Sequence, residues 1–117
     1  SRMTIIVDGD DHIVEQIEKQ LNKQIDVIKV RSYESDEIIH KELALIKVAA
    51  APGKRAEILN VLSVIGARVV DLAKNAVTAE ICDTSEKIDQ AEELLWPYSI
   101  KEVARTGTVA LPKISEL

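Results

Sequence analysis

Three aspartates, Asp8, Asp10 and Asp11, with His12 behind them, are the densest set of possible metal-ligating or acid-base groups in the chain. Their oxygens could ligate a divalent cation, but the spacing fits no EF-hand loop and no distant glutamate completes the set. The same residues suit the turn before a helix, where an aspartate side chain accepts from the free N–H groups of the first turn. His12 and His40 stand apart from any cysteine or helical histidine partner and read as surface residues. Gly53-Lys54 precedes a helix, as a phosphate cradle would, yet the second glycine and the hydroxyl of a P-loop are missing. A turn is the default there, although backbone amides in the loop from Ala49 to Arg55 could still hold a carboxylate or phosphate. Cys82, at a strand end with no histidine near it in sequence, is expected to be a buried structural thiol rather than a nucleophile. Trp96, followed by Pro97 and Tyr98, either anchors a partner or plugs the bottom of the core. These residues supply no catalytic constellation and no metal site, and an independent enzyme is the least favoured reading.

The elements that must position these residues follow from periodicity. Met3–Val7 is β-branched and ends at the aspartate turn, so a strand runs into a helix from His12 to Asn22. Ile13, Val14, Ile17 and Leu21 recur there at spacings of three and four and predict one buried face. Val27, Ile28 and Val30 mark a second strand, and the polar run from Ser32 to Glu37 reads as a linker. Glu42–Val48 is strand-like, and Pro52-Gly53 turns the chain into a helix from about Lys54 to Ile65, capped by Gly66. Lys74-Asn75 separates two further strands as a hairpin. Asp83-Thr84-Ser85-Glu86 starts a last helix that Pro97 stops, and extended segments at Ile100–Val103 and Thr108–Leu111 follow. The order from residue 42 onward is βαββαβ, which makes the fold α+β and ferredoxin-like.

Composition narrows the function. With 117 residues, 46% of them apolar but none of them Phe, the core must be built from Ile, Val, Leu and Ala. A net charge of −5 with dispersed lysines and arginines argues against nucleic acid and anionic membranes as partners. The single cysteine fits a reducing cytoplasm, and no apolar run is long enough to span a bilayer. Other users of a βαββαβ unit leave marks that are missing here: strand aromatics for single-stranded RNA readers, paired cysteines for metal carriers, a glycine-rich arginine cradle for acylphosphatase-type enzymes.

Sliding the chain along itself by 74 residues reveals a repeat. Glu15 meets Asp89, Gln16 meets Gln90, Glu18 meets Glu92, Arg31 meets Arg105 and Ser32 meets Thr106. Residues 1–34 therefore read as the second half of a unit like that of residues 42–112, whose leading strand would fall about 30 residues before Ser1. A lone strand, helix and strand leave a helix face and a sheet edge unpartnered. Oligomerisation through sheet edges, docking on the complete unit or partial disorder of residues 1–34 is expected.

Several blocks resemble one family. Ser1-Arg2-Met3-Thr4-Ile5, Glu15–Lys23, Val27–Val30, Glu42–Val48, Ala67–Asp71 and Ile100–Gly107 are similar, in that order, to the small regulatory subunit of acetolactate synthase. The resemblance implies a partial N-terminal ACT domain at 1–34, a linker at 35–41, a ferredoxin-like C-terminal domain at 42–112 and a tail at 113–117. It implies a non-catalytic cytoplasmic protein of branched-chain amino acid biosynthesis, self-associating as a homodimer or higher oligomer. Such a subunit activates the catalytic large subunit and, when intact, confers feedback inhibition by valine. Thiamine diphosphate, magnesium and FAD would belong to the catalytic chain. The family's valine loop, with its asparagine and glycine, would precede Ser1, so no effector-binding residue is assigned in this sequence. The alternative is a stand-alone ACT-type amino-acid sensor or dimeric regulatory module.

Overall fold

The computed structural model describes residues 2–23 and 31–114 of the chain. Two compact units result, one of Ser1–Ile39 with Ala110–Leu117 and one of His40–Val109.

In the first unit, α1 (Asp11–Asn22) begins as the aspartate turn predicts: Asp10 is the N-cap, its carboxylate accepting from the Ile13 N–H at 3.0 Å. Glu15 and Lys19, one turn apart, pair at 3.3 Å on the solvent side. The expected buried face is not formed among the described residues, since no side chain of α1 is buried and Ile13 is 44% exposed. Nor is Met3–Val7 a strand; it runs without regular structure, and Ile6 is 70% exposed. An extended segment becomes a stable strand by pairing, and among the described residues none pairs with this one. The strand expected over Val27–Val30 lies outside the described residues. The stretch read as a linker is more ordered than its polarity suggested. Ser35–Glu37 forms a 3-10 turn whose Glu34 and Glu37 cap each other, and the β-branched pair Ile38-Ile39 already belongs to a strand.

That strand, β1 (Ile38–Ala49), leads into the second unit. Then follow α2 (Arg55–Val64), β2 (Arg68–Leu72), β3 (Ala76–Asp83), α3 (Ser85–Leu95) and β4 (Ile100–Arg105), with β5 (Val109–Pro112) beyond. The strands pair antiparallel in the order β2-β3-β1-β4, and β5 also pairs with β1. This is the expected ferredoxin-like arrangement. Lys74-Asn75 makes the β2–β3 hairpin turn, closed by the Ala73 N–H donating to the Ala76 carbonyl at 2.9 Å. Gly66 ends α2 with φ +77°, a left-handed conformation that a side chain resists. Thr84 caps α3 through the Lys87 N–H.

Strand alternation decides the core. Ala44, Ile46 and Val48 of β1 and Val77, Ala79 and Ile81 of β3 face the helices and are buried. Ile58 and Leu62 of α2 and Ile88, Ala91 and Leu95 of α3 close over them. Each fully buried Ile or Leu contributes roughly 1.5–3 kcal/mol, so a core without phenylalanine still suffices for a two-layer unit.

Candidate interaction surface

Arg105, the last residue of β4, organises the end of the sheet beside α3. Its Nε and Nη2 donate to the two carboxylate oxygens of Glu42 at 2.6 and 3.1 Å, a bidentate fork. Nη1 donates to Asp89 Oδ1 at 2.6 Å and approaches Glu92 Oε1 at 3.5 Å, while Nη2 also reaches the Ser85 hydroxyl at 3.1 Å. One guanidinium thereby ties β1, β4 and α3 together. Glu42 is 5% exposed and is the only buried charged side chain among the described residues. Hydrogen bonding from Arg105 holds its carboxyl below the usual glutamate range against the opposing effect of burial. The same bonds, from Glu42 first and Asp89 second, push the Arg105 pKa upward.

Nothing in the sequence marked this network beyond the repeat, which matched Arg31, Glu15 and Glu18 to Arg105, Asp89 and Glu92. In the first unit Ser32 Oγ donates to Glu18 Oε2 at 3.1 Å, tying residues that match Thr106 and Glu92. Partners separated by 63 residues, as Arg105 and Glu42 are, cannot be recognised before the strands are paired.

The other candidates fall apart as sites. Arg55 does not face an anion; Nη2 donates to the Ala73 carbonyl at 3.2 Å and to that of Lys74, and the Ala50 N–H holds the Asn75 carbonyl at 2.8 Å. The loop from Ala49 to Arg55 is thus a buttress for the β2–β3 hairpin, and Lys54 is turned to Glu57 at 3.5 Å. Cys82 is exposed, contrary to expectation, because alternation puts it opposite Leu43 on the face away from the helices. His12 is exposed and His40 half-buried. Among the described residues no three His, Cys, Asp or Glu side chains are placed to hold a metal ion, and no helix is long and apolar enough to cross a membrane.

What remains are two open surfaces of the second unit. The sheet face opposite the helices carries the cross-strand pairs Leu43 with Cys82 and Leu45 with Ala104, flanked by the ion pairs Lys47–Glu102 at 3.4 Å and Arg68–Glu80 at 2.9 Å. Leu45 is 42% exposed there. At the end of α3, Trp96 stands in solvent while Tyr98 packs against the core. Burial, and secondarily Glu57, raises the Tyr98 pKa. Tyr98, not Trp96, takes the part of the core plug. A surface of this kind can bind a macromolecule but offers no chemistry to a substrate.

The family model described as the small subunit of acetolactate synthase matches residues 41–114, most of the chain. The chain belongs to the acetolactate synthase small-subunit family. Within it, a probable small subunit of Methanothermobacter thermautotrophicus is 47% identical over 97% of this chain and 68% of its own length. The small subunit of Bacillus subtilis is 46% identical, with 97% and 66% covered. The crystal structure of the small subunit from Thermotoga maritima superposes with a TM-score of 0.83 at 31% identity, over 93% of this chain and 68% of that one. The chain thus spans about two thirds of the length of these small subunits.

Proposed function

We propose that this chain is a regulatory, non-catalytic part of acetolactate synthase, acting in the cytoplasm on the route to valine, leucine and isoleucine. The observation that carries the reading is the family match over residues 41–114, which coincides with a βαββαβ unit whose polar residues brace one another instead of converging on a substrate. In this reading the ferredoxin-like C-terminal domain, residues 42–112, docks on the large catalytic subunit and activates it. Residues 1–34 are the second half of an ACT domain that pairs with its copy in a dimer, 35–41 connect the two and 113–117 form a tail. Valine feedback is a property of the whole ACT domain, and thiamine diphosphate, magnesium and FAD are held by the catalytic subunit.

Such a regulator acts by binding the active state of its partner more tightly than the inactive one, and valine inhibits only by altering that difference. Titrating this chain into the catalytic subunit from the same source, with and without valine, tests the reading. Acetolactate formation is expected to rise to a plateau, with a weak valine response. No rise at saturation refutes activation, and full inhibition by valine refutes the assignment of feedback to the whole ACT domain.

A further inference from the structure

Trp96 is the one tryptophan of the chain and is 75% exposed. Both neighbours in the backbone are fixed. Leu95 before it is fully buried, and after Pro97 the half-buried Tyr98 packs on the core. Ser99 then closes the turn in a left-handed conformation, φ +70°, with its N–H donating to the Trp96 carbonyl at 3.3 Å. The indole is therefore held out from a rigid mount. Leaving so large an apolar ring in water forgoes burial that the core, which has no phenylalanine, could have used.

Around the ring the charge is one-sided. Trp96, Glu93, Glu92 and Asp89 lie three, four and seven residues apart and share one face of α3 and the turn that follows it. Asp89 and Glu92 share one guanidinium, that of Arg105, which is already forked to Glu42 at the other end of the helix. Glu93 has no ion-pair partner among the described residues. A tryptophan face edged by surplus carboxylate attracts a cation twice, through the ring quadrupole and through Coulomb attraction.

We propose that Trp96 and the Asp89–Glu92–Glu93 edge of α3 form the docking point for an arginine or lysine displayed on the surface of the catalytic subunit. The identity of that partner rests on the functional reading above; the cationic chemistry rests on the exposed indole and the carboxylates beside it. The incoming side chain lies over the indole and pairs with Glu93, leaving the Arg105 fork undisturbed.

The test compares W96A, W96F and E93K with wild type in the full chain. Both sites are solvent-facing, so unchanged thermal melts are expected and certify the fold. In activation of the catalytic subunit, W96A and E93K are each expected to raise the half-saturating concentration about tenfold and W96F less. Added salt should weaken wild type more than E93K. Activation by W96A and E93K at wild-type concentrations overturns the proposal while the functional reading stands. If wild type itself does not activate, the functional reading falls, and Trp96 fluorescence decides the chemistry alone. At low salt, a short arginine-rich peptide is expected to quench wild type and not E93K, whereas a neutral peptide does nothing. No quenching, or equal quenching of both, overturns the cation site. Self-association that is lost in W96A would assign the surface to a second copy and overturn the proposal as well.

Discussion

A guanidinium shared among Glu42, Asp89, Glu92 and Ser85 is costly to disturb because only part of the set is solvated. Glu42 is 5% exposed and the Arg105 side chain 22%, whereas Asp89 is 64% exposed and adds little. Replacing Arg105 by methionine strands a buried carboxylate and should destabilise the protein by about 3 kcal/mol in urea melts. Glu42→Leu combined with Arg105→Met removes both charges and should recover most of the loss; no recovery would mean that the fork is more than a compensated pair. The pH dependence has a definite sign. The folded-state pKa of Glu42 is lowered, so its contribution is present above the unfolded glutamate value and is lost as pH falls through the depressed one. Glu42→Gln should therefore flatten the acid limb of a plot of stability against pH. At this scale the sequence was partly legible. The caps, Asp10 and Thr84, are local devices and could be read directly, while Arg105 appeared only as a repeated letter because its partners come from distant positions.

Periodicity located the helices well, α1 included, although no side chain of α1 is buried. α2, α3, the Lys74-Asn75 hairpin and the Gly66 stop fall within a residue or so of expectation, since their apolar stripes and turn residues act locally. The failures share a physical cause. Met3–Val7 has strand composition but no strand partner among the described residues, and Ile38–Lys41 looked like linker yet is strand, because β propensity is expressed through neighbours. Cys82 was misplaced by reading residue type before alternation. Within α2 the faces differ sharply, with Leu62 1% exposed and Val64 81% exposed. Leu62→Ala should cost about 3 kcal/mol by cavity formation, whereas Val64→Ala should stay within about 0.5 kcal/mol. Equal effects in chemical denaturation would contradict this layering.

For the whole molecule, the physical question is where the exposed apolar surface is spent. Leu45 on the open sheet face is 42% exposed, and Trp96 at the end of α3 is three-quarters exposed. A small acidic protein tolerates scattered apolar residues, but grouped ones mark contact surfaces. The family resemblance was legible because its blocks lie along nearly the whole sequence; the contact surfaces were not, because each is assembled from several elements.

Cys82 gives those surfaces an observer. The chain has one thiol, it is exposed, and it lies beside Leu43 on the open sheet face rather than beside Trp96 at the end of α3. A maleimide dye attached there reports on one face, and the native indole reports independently on the other. If the sheet face is covered on assembly, modification of Cys82 should slow at least severalfold when the catalytic subunit or a second copy is added, with unchanged labelling pointing to the helix side alone. The protein thus carries two chemically orthogonal probes, one on each of its candidate contact surfaces, and needs no engineering to show which surface a partner occupies first.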